Sequence, residues 1–131
     1  MPAYDVAIVG GGVIGSSIAS FLRSMSDASV CVIERDPTYQ YASSALSASS
    51  IRQQFTTELN IQVSQFGFDF LKNISEHLAV NDDAVDVGLV ERGYLVLASA
   101  GNGDVLQANV EMQSRNGADV ELIPQPELAV R

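Results

Sequence analysis

The sequence predicts an α/β fold built on a parallel sheet. Three observations carry that prediction. An early apolar run, Val6-Ala7-Ile8-Val9, is cut off by Gly10-Gly11-Gly12, a break that ends a strand sharply. Ile14, Ile18, Phe21, Leu22 and Met25 then recur at helical spacing. A second apolar run, Val30-Cys31-Val32-Ile33, closes on Glu34. Strand, glycine turn, helix and strand make one βαβ unit, whose two strands run parallel.

The first strand, residues 4–9, is apolar on both faces, as a strand is when helices cover both sides of its sheet. The helix spans about 13–25. Its Ser16, Ser17, Ala19 and Ser20 are small, so it can lie close to the sheet. A turn at 27–29 leads into the second strand. Residues 36–50 are small, polar and serine-rich with little periodicity; a loop of about 15 residues is long for a compact domain and marks function. A long helix is expected over 57–79, capped by Thr56 or Thr57, with Leu59, Val63, Phe66, Phe70, Ile74 and Leu78 as its core stripe.

Asn81-Asp82-Asp83 is turn-like and sets an expected boundary. Residues 1–82 would be one incomplete domain and 83–131 the start of a second, α+β domain. There, 87–90 and 94–98 read as a hairpin turned by Glu91-Arg92-Gly93. Asn102 would cap a helix over 103–115 that Asn116-Gly117 stops, and 120–123 reads as a last short strand. The run from Pro124 to Leu128 begins a helix or turn that the terminus at Arg131 cuts off, so the chain reads as part of a longer one.

Composition narrows the function. A 131-residue chain that is 47% hydrophobic can build a core. Sixteen acidic residues against seven basic ones give a net charge of −9, which argues against nucleic acid and anionic membranes as partners. No apolar run approaches the roughly 20 residues of a membrane span. The first residues carry no basic segment, so neither a secretory signal nor a transit peptide is expected. A single cysteine, Cys31, excludes an internal disulfide and fits a reducing, cytoplasmic setting; mid-strand, it reads as a small hydrophobe. His77 suits a helix C-terminus better than catalysis. Asp82, Asp83 and Asp86 read as a solvated charge run, and no metal-ligand spacing occurs anywhere.

The chemistry lies in Gly10-Gly11-Gly12-Val13-Ile14-Gly15, a G-x-G-x-x-G run placed between strand and helix, with an acid about 20 residues further on. Gly10 permits the tight turn. Gly12 lets a diphosphate approach the backbone without meeting a Cβ. Gly15 allows helix and strand to pack closely. The helix N-terminus offers unpaired N–H groups and a partial positive charge. Glu34 can accept hydrogen bonds from the two ribose hydroxyls and would repel a 2′-phosphate. This is a dinucleotide-binding, Rossmann-like fingerprint, shared by FAD and NAD proteins.

Residues 5–19, Val32-Ile33-Glu34-Arg35-Asp36 and the run from Ala42 to Phe55 resemble the opening of the FAD-dependent oxidoreductases that include D-amino-acid oxidase and the sarcosine and dimethylglycine dehydrogenases. The resemblance covers nearly the whole chain and is most specific before Phe55. It implies an FAD-binding, doubly wound domain that later segments complete. Gly10, Gly11, Gly12, Val13, Ile14 and Gly15 would hold the diphosphate, with Ser43 and Ser44 reaching it. Glu34 would hold the ribose, with Arg35 along the adenosine. Ser49, Ser50 and Arg52 would run beside the isoalloxazine ring, where a cation stabilises the anionic reduced flavin. Some relatives attach FAD through a histidine in this loop; here Ala45 and Leu46 stand there, so no covalent bond to FAD is expected from this segment, while the downstream cysteine that other relatives use lies beyond it.

The resemblance also implies oxidation of a C–N bond in a small amine or amino acid, by hydride transfer to flavin. No residue here is assigned as catalytic. Two alternatives stay open. An NAD-dependent dehydrogenase would continue from Glu34 into a regular helix and strand, which the serine-rich loop argues against. A truncated, non-catalytic nucleotide-binding module would self-associate through its unfinished sheet.

Overall fold

The structure, a computed structural model, describes residues 3–81 and 83–128. The start at Met1, Asp82 of the acidic turn and the terminal Arg131 lie outside them. The chain gathers into two compact units, one within residues 1–50 and the other within 51–131.

The first unit is the expected βαβ. Strand β1 (Val6–Val9), helix α1 (Val13–Met25) and strand β2 (Val30–Ile33) follow in order. The strands pair in parallel, Val6 opposite Val30 through Val9 opposite Ile33. A polar clamp fixes that register at its start. The Ser29 hydroxyl and backbone N–H both donate to Asp5 Oδ2, at 2.6 and 2.9 Å, and the Asp5 N–H donates to the Ser29 carbonyl at 3.0 Å. The Ser29 hydroxyl, then the Ser29 N–H, hold the Asp5 carboxyl below its ordinary pKa. Because side-chain orientation has period two, a one-residue slip would turn every apolar residue to the wrong face, and the clamp opposes it. At the far end of α1, Arg23 donates to the Ala28 carbonyl at 2.8 Å and complements the helix dipole.

The second unit holds helices α2 (Glu58–Lys72), α3 (Ile74–Leu78) and α4 (Gly103–Arg115). The single long helix expected over 57–79 is two. Asn73 leaves helical geometry (φ −107, ψ 25), and its backbone and side-chain N–H groups both donate to the Asp69 carbonyl, at 3.1 and 2.9 Å. Asparagine offers the backbone this local alternative to the helix ladder. Helix α2 starts at Thr57 with Glu58 in its first turn and ends with Lys72 in its last, the charges the dipole favours. The core is small: Ile61 is wholly buried, with Ile74, Ala118 and Gln113 nearly so. Gln113 is satisfied by donating to the Phe55 carbonyl at 3.0 Å, and Gln65 donates to the Asn116 carbonyl at 3.0 Å.

Helix α4 stops where the sequence predicts. Gly117 takes φ +79, its N–H reaches the Ser114 carbonyl, and the Ala118 N–H reaches the Gln113 carbonyl. These are the two bonds of a Schellman cap. The expected strands at 87–90, 94–98 and 120–123 form no ladder among the described residues. Gly88 and Gly93 take positive φ (+63 and +73), yet the chain makes no turn there and the two apolar runs do not pair. A strand exists only through a hydrogen-bonded neighbour, and an isolated two-stranded hairpin is marginal in water. The α+β character expected of this region is therefore absent from the described residues, which are helical and irregular. Short 3₁₀ turns at Ala100–Asn102 and Gln125–Glu127 complete it, the second where Pro124 and Pro126 announced a helix or turn.

No helix of the described residues is long and apolar enough to cross a membrane. No group of three His, Cys, Asp or Glu among them could hold a metal ion.

Candidate dinucleotide-binding site

The site grows from the break between β1 and α1. The Gly10 N–H donates to the Ile33 carbonyl at 2.8 Å, the last bond of the parallel pair, and the chain then turns at φ +98. Only glycine takes that conformation freely. Gly15 is fixed by a different constraint. A Cβ at Gly15 would stand 1.9 Å from the Gly10 carbonyl oxygen and 3.2 Å from Ile8 Cγ2. The helix can lie this close to the strand because position 15 has no side chain.

Gly12 caps α1 with its backbone alone. No side chain bonds the first-turn N–H groups, and the first turn carries no acid. A Cβ added at Gly12 would meet no protein atom within 4 Å. The same residue lines an open concavity of about 370 Å³ with Gly11, Val13, Ser16, Tyr39 and Ser44. Uncapped amides, a helix dipole and open space beside a missing side chain suit an anion such as a diphosphate.

Glu34 closes the turn from the β2 side. Its Oε2 accepts the Gly11 N–H at 2.6 Å and its Oε1 accepts the Asp36 N–H at 2.9 Å. The Asp36 N–H, then the Gly11 N–H, hold the Glu34 carboxyl below the ordinary glutamate pKa. A carboxylate has about four lone-pair sites, so capacity remains for a ribose hydroxyl. Gly11 itself is tightly enclosed: a Cβ there would sit 3.0 Å from the Tyr39 hydroxyl, 3.2 Å from Glu34 Cβ and 3.3 Å from Val32 Cγ1.

Of the residues singled out by sequence, Gly11, Gly12, Val13 and Ser44 share the concavity, Gly10 and Gly15 shape its backbone, and Glu34 is bonded to it. Ile14 and Arg35 are exposed beside it. Ser43, Ser49 and Ser50 lie in the same loop without lining it. Ser49 takes φ +48, its N–H donating to Ser47 Oγ at 3.1 Å, and Ser50 Oγ donates to the Ala48 carbonyl at 3.2 Å. Arg52 belongs to the other unit. Its guanidinium stands 5.1 Å from the Phe55 ring centroid, and its carbonyl accepts from the Ser64 hydroxyl.

Two residues of the site escape sequence reasoning. Ser16 donates to the Gly11 carbonyl at 2.7 Å and braces the turn; its place directly after Gly15 was the available signal. Tyr39 stands on the wall through a left-handed backbone (φ +56) that no sequence pattern announces.

Comparison with known proteins gives the family. Residues 5–131 match the family described as FAD dependent oxidoreductase (DAO). The chain is 48% identical over 124 residues to FAD-dependent oxidoreductase domain-containing protein 1 of Xenopus laevis, covering 91% of this chain and 25% of that protein. It is 45% identical to the Bos taurus protein of that name over 129 residues (95% and 26%). It is 34% identical to the Drosophila melanogaster homolog over 129 residues (97% and 24%). The chain thus spans about a quarter of the length of these relatives. No solved structure matches it significantly.

Proposed function

This chain belongs to the DAO family of FAD-dependent oxidoreductases, and from that premise we propose that it forms the adenosine-diphosphate-binding part of an enzyme that oxidises a C–N bond in a small amine or amino acid. One observation carries the cofactor part of this reading. The first-turn amides of α1 have no protein cap, and they face a concavity where Gly12 presents no side chain.

The residues present fit the diphosphate half of FAD. Gly12, Val13, Ile14 and Gly15 would hold it through backbone N–H groups at the turn that Gly10 and Gly11 shape, Ser43 and Ser44 would approach it, and Glu34 would take the adenosine ribose while Arg35 flanks the adenosine. Ser49, Ser50 and Arg52 are proposed for the flavin end. When bound, FAD would supply the two-electron acceptor for a C–H bond beside nitrogen. The work of these residues is to bind and orient: they anchor the distant end of the cofactor, so that its reactive end is held without a search. Family membership favours FAD over NAD. We propose that this segment makes no covalent bond to FAD, since no histidine lies in the loop over 36–50. The boundary near residue 82 is likewise proposed, as the end of the cofactor-binding segment.

The test is the full-length protein. It should purify with a flavin absorbance band, release that flavin on denaturation, and lose the band under anaerobic conditions with a secondary amine or amino acid. A colourless protein that takes up no FAD would overturn the cofactor reading. A yellow protein reduced by no amine or amino acid would overturn the substrate class alone.

A further inference from the structure

Tyr39 is held where its position costs the backbone something. A bulky residue at φ +56 is an outlier, since the left-handed region brings Cβ against the following carbonyl. Neighbouring bonds keep it there. Asp36 Oδ1 accepts the Thr38 N–H at 3.0 Å and the Thr38 hydroxyl at 2.6 Å. The Tyr39 N–H donates to the Asp36 carbonyl at 3.1 Å, and the Ala42 N–H donates to the Tyr39 carbonyl at 2.9 Å. The result sets the phenol hydroxyl against the glycine turn, 3.0 Å from where a Gly11 Cβ would stand. There it lines the same concavity as Gly12 and Val13. A phenol is a neutral donor that suits an anion, and its rigid ring reaches the site with few torsions to order.

Resting on the diphosphate reading above, we propose that the Tyr39 hydroxyl donates a hydrogen bond to a phosphate of the bound nucleoside diphosphate, making Tyr39 a binding residue of the cradle. Glu34 cannot play this part, because a carboxylate repels phosphate; it serves the sugar. The two side chains thus divide the ligand: acid to ribose, phenol to phosphate.

The experiment titrates ADP and adenosine separately into the flavin-stripped full-length protein and its Tyr39→Phe variant by calorimetry, with thermal unfolding of each ligand-free protein alongside. Tyr39→Phe should raise the ADP dissociation constant roughly tenfold, the worth of one hydrogen bond to a charged oxygen. Adenosine binding and the unfolding temperature should stay unchanged. Tyr39→Asn, which tolerates the left-handed backbone but cannot reach the phosphate, should bind ADP no better than Tyr39→Phe. Equal ADP binding by wild type and Tyr39→Phe would overturn this assignment alone. An equal loss for ADP and adenosine would overturn it too, by moving the contact to the sugar. If the wild type binds no ADP, the diphosphate reading fails and this inference fails with it.

Discussion

At the scale of the residue, glycines in one motif do different jobs, and substitution separates them. Gly15→Ala drives a methyl group into the Gly10 carbonyl, 1.9 Å away. It should destabilise the protein by about 2–3 kcal/mol, read by urea unfolding, because overpacking forces the backbone to move. Gly12→Ala meets nothing within 4 Å and should unfold within about 0.5 kcal/mol of wild type. Its ADP affinity, measured by calorimetry, should nonetheless fall roughly tenfold or more, because the methyl takes the space the phosphate needs. Glu34→Gln tests the acid. The folded-state pKa of Glu34 is lowered, first by the Asp36 N–H and then by the Gly11 N–H. Its contribution is therefore present above the unfolded pKa of about 4.3 and is lost as pH falls through the folded value. The glutamine variant should be less stable near neutrality and should lose stability less steeply below about pH 4, as an acid-unfolding series would show. The places of the glycines and Glu34 around the turn were legible in the sequence because they depend on local order. Tyr39 was not: its role depends on a backbone conformation and on an approach across the turn to Gly11.

At the scale of the element, the βαβ unit was readable almost to its ends because its signals are contiguous. Apolar runs, a glycine break and a helical stripe lie one after another. The break between α2 and α3 was not readable. Phe70, Ile74 and Leu78 continue the apolar stripe across Asn73, so periodicity sees one helix where a side-chain bond to the Asp69 carbonyl makes two. The hairpin expected at 87–98 shows the opposite limit: β-rich residues on either side of Glu91-Arg92-Gly93 form no ladder, since pairing is a property of neighbours. The C-terminal stop of α4 offers a clean check. Gly117 sits at φ +79, where an added Cβ would find only ordinary contact, 3.5 Å from Gln65 Nε2. Gly117→Ala should therefore cost about 1 kcal/mol in chemical denaturation through backbone strain alone.

At the scale of the whole molecule, each unit leaves an apolar face uncovered. On α1, Ile14 is 74% and Met25 81% exposed; on α2, Leu59 is 68% and Val63 61% exposed. Among the described residues, both strands of the two-stranded sheet also keep an unpaired outer edge. Such surfaces seek partners, while the net charge of −9 opposes close approach of copies. The 131-residue chain made alone should associate in a concentration-dependent way that added salt strengthens by screening the repulsion. Light scattering would show this, and a monodisperse monomer at every salt concentration would contradict it. The clearance at Gly15 has a consequence for the gene itself. Every missense change of a glycine codon installs at least a Cβ, so no allele at this position is conservative. A variant found there by sequencing reads as strain at the βαβ junction before any phenotype is scored.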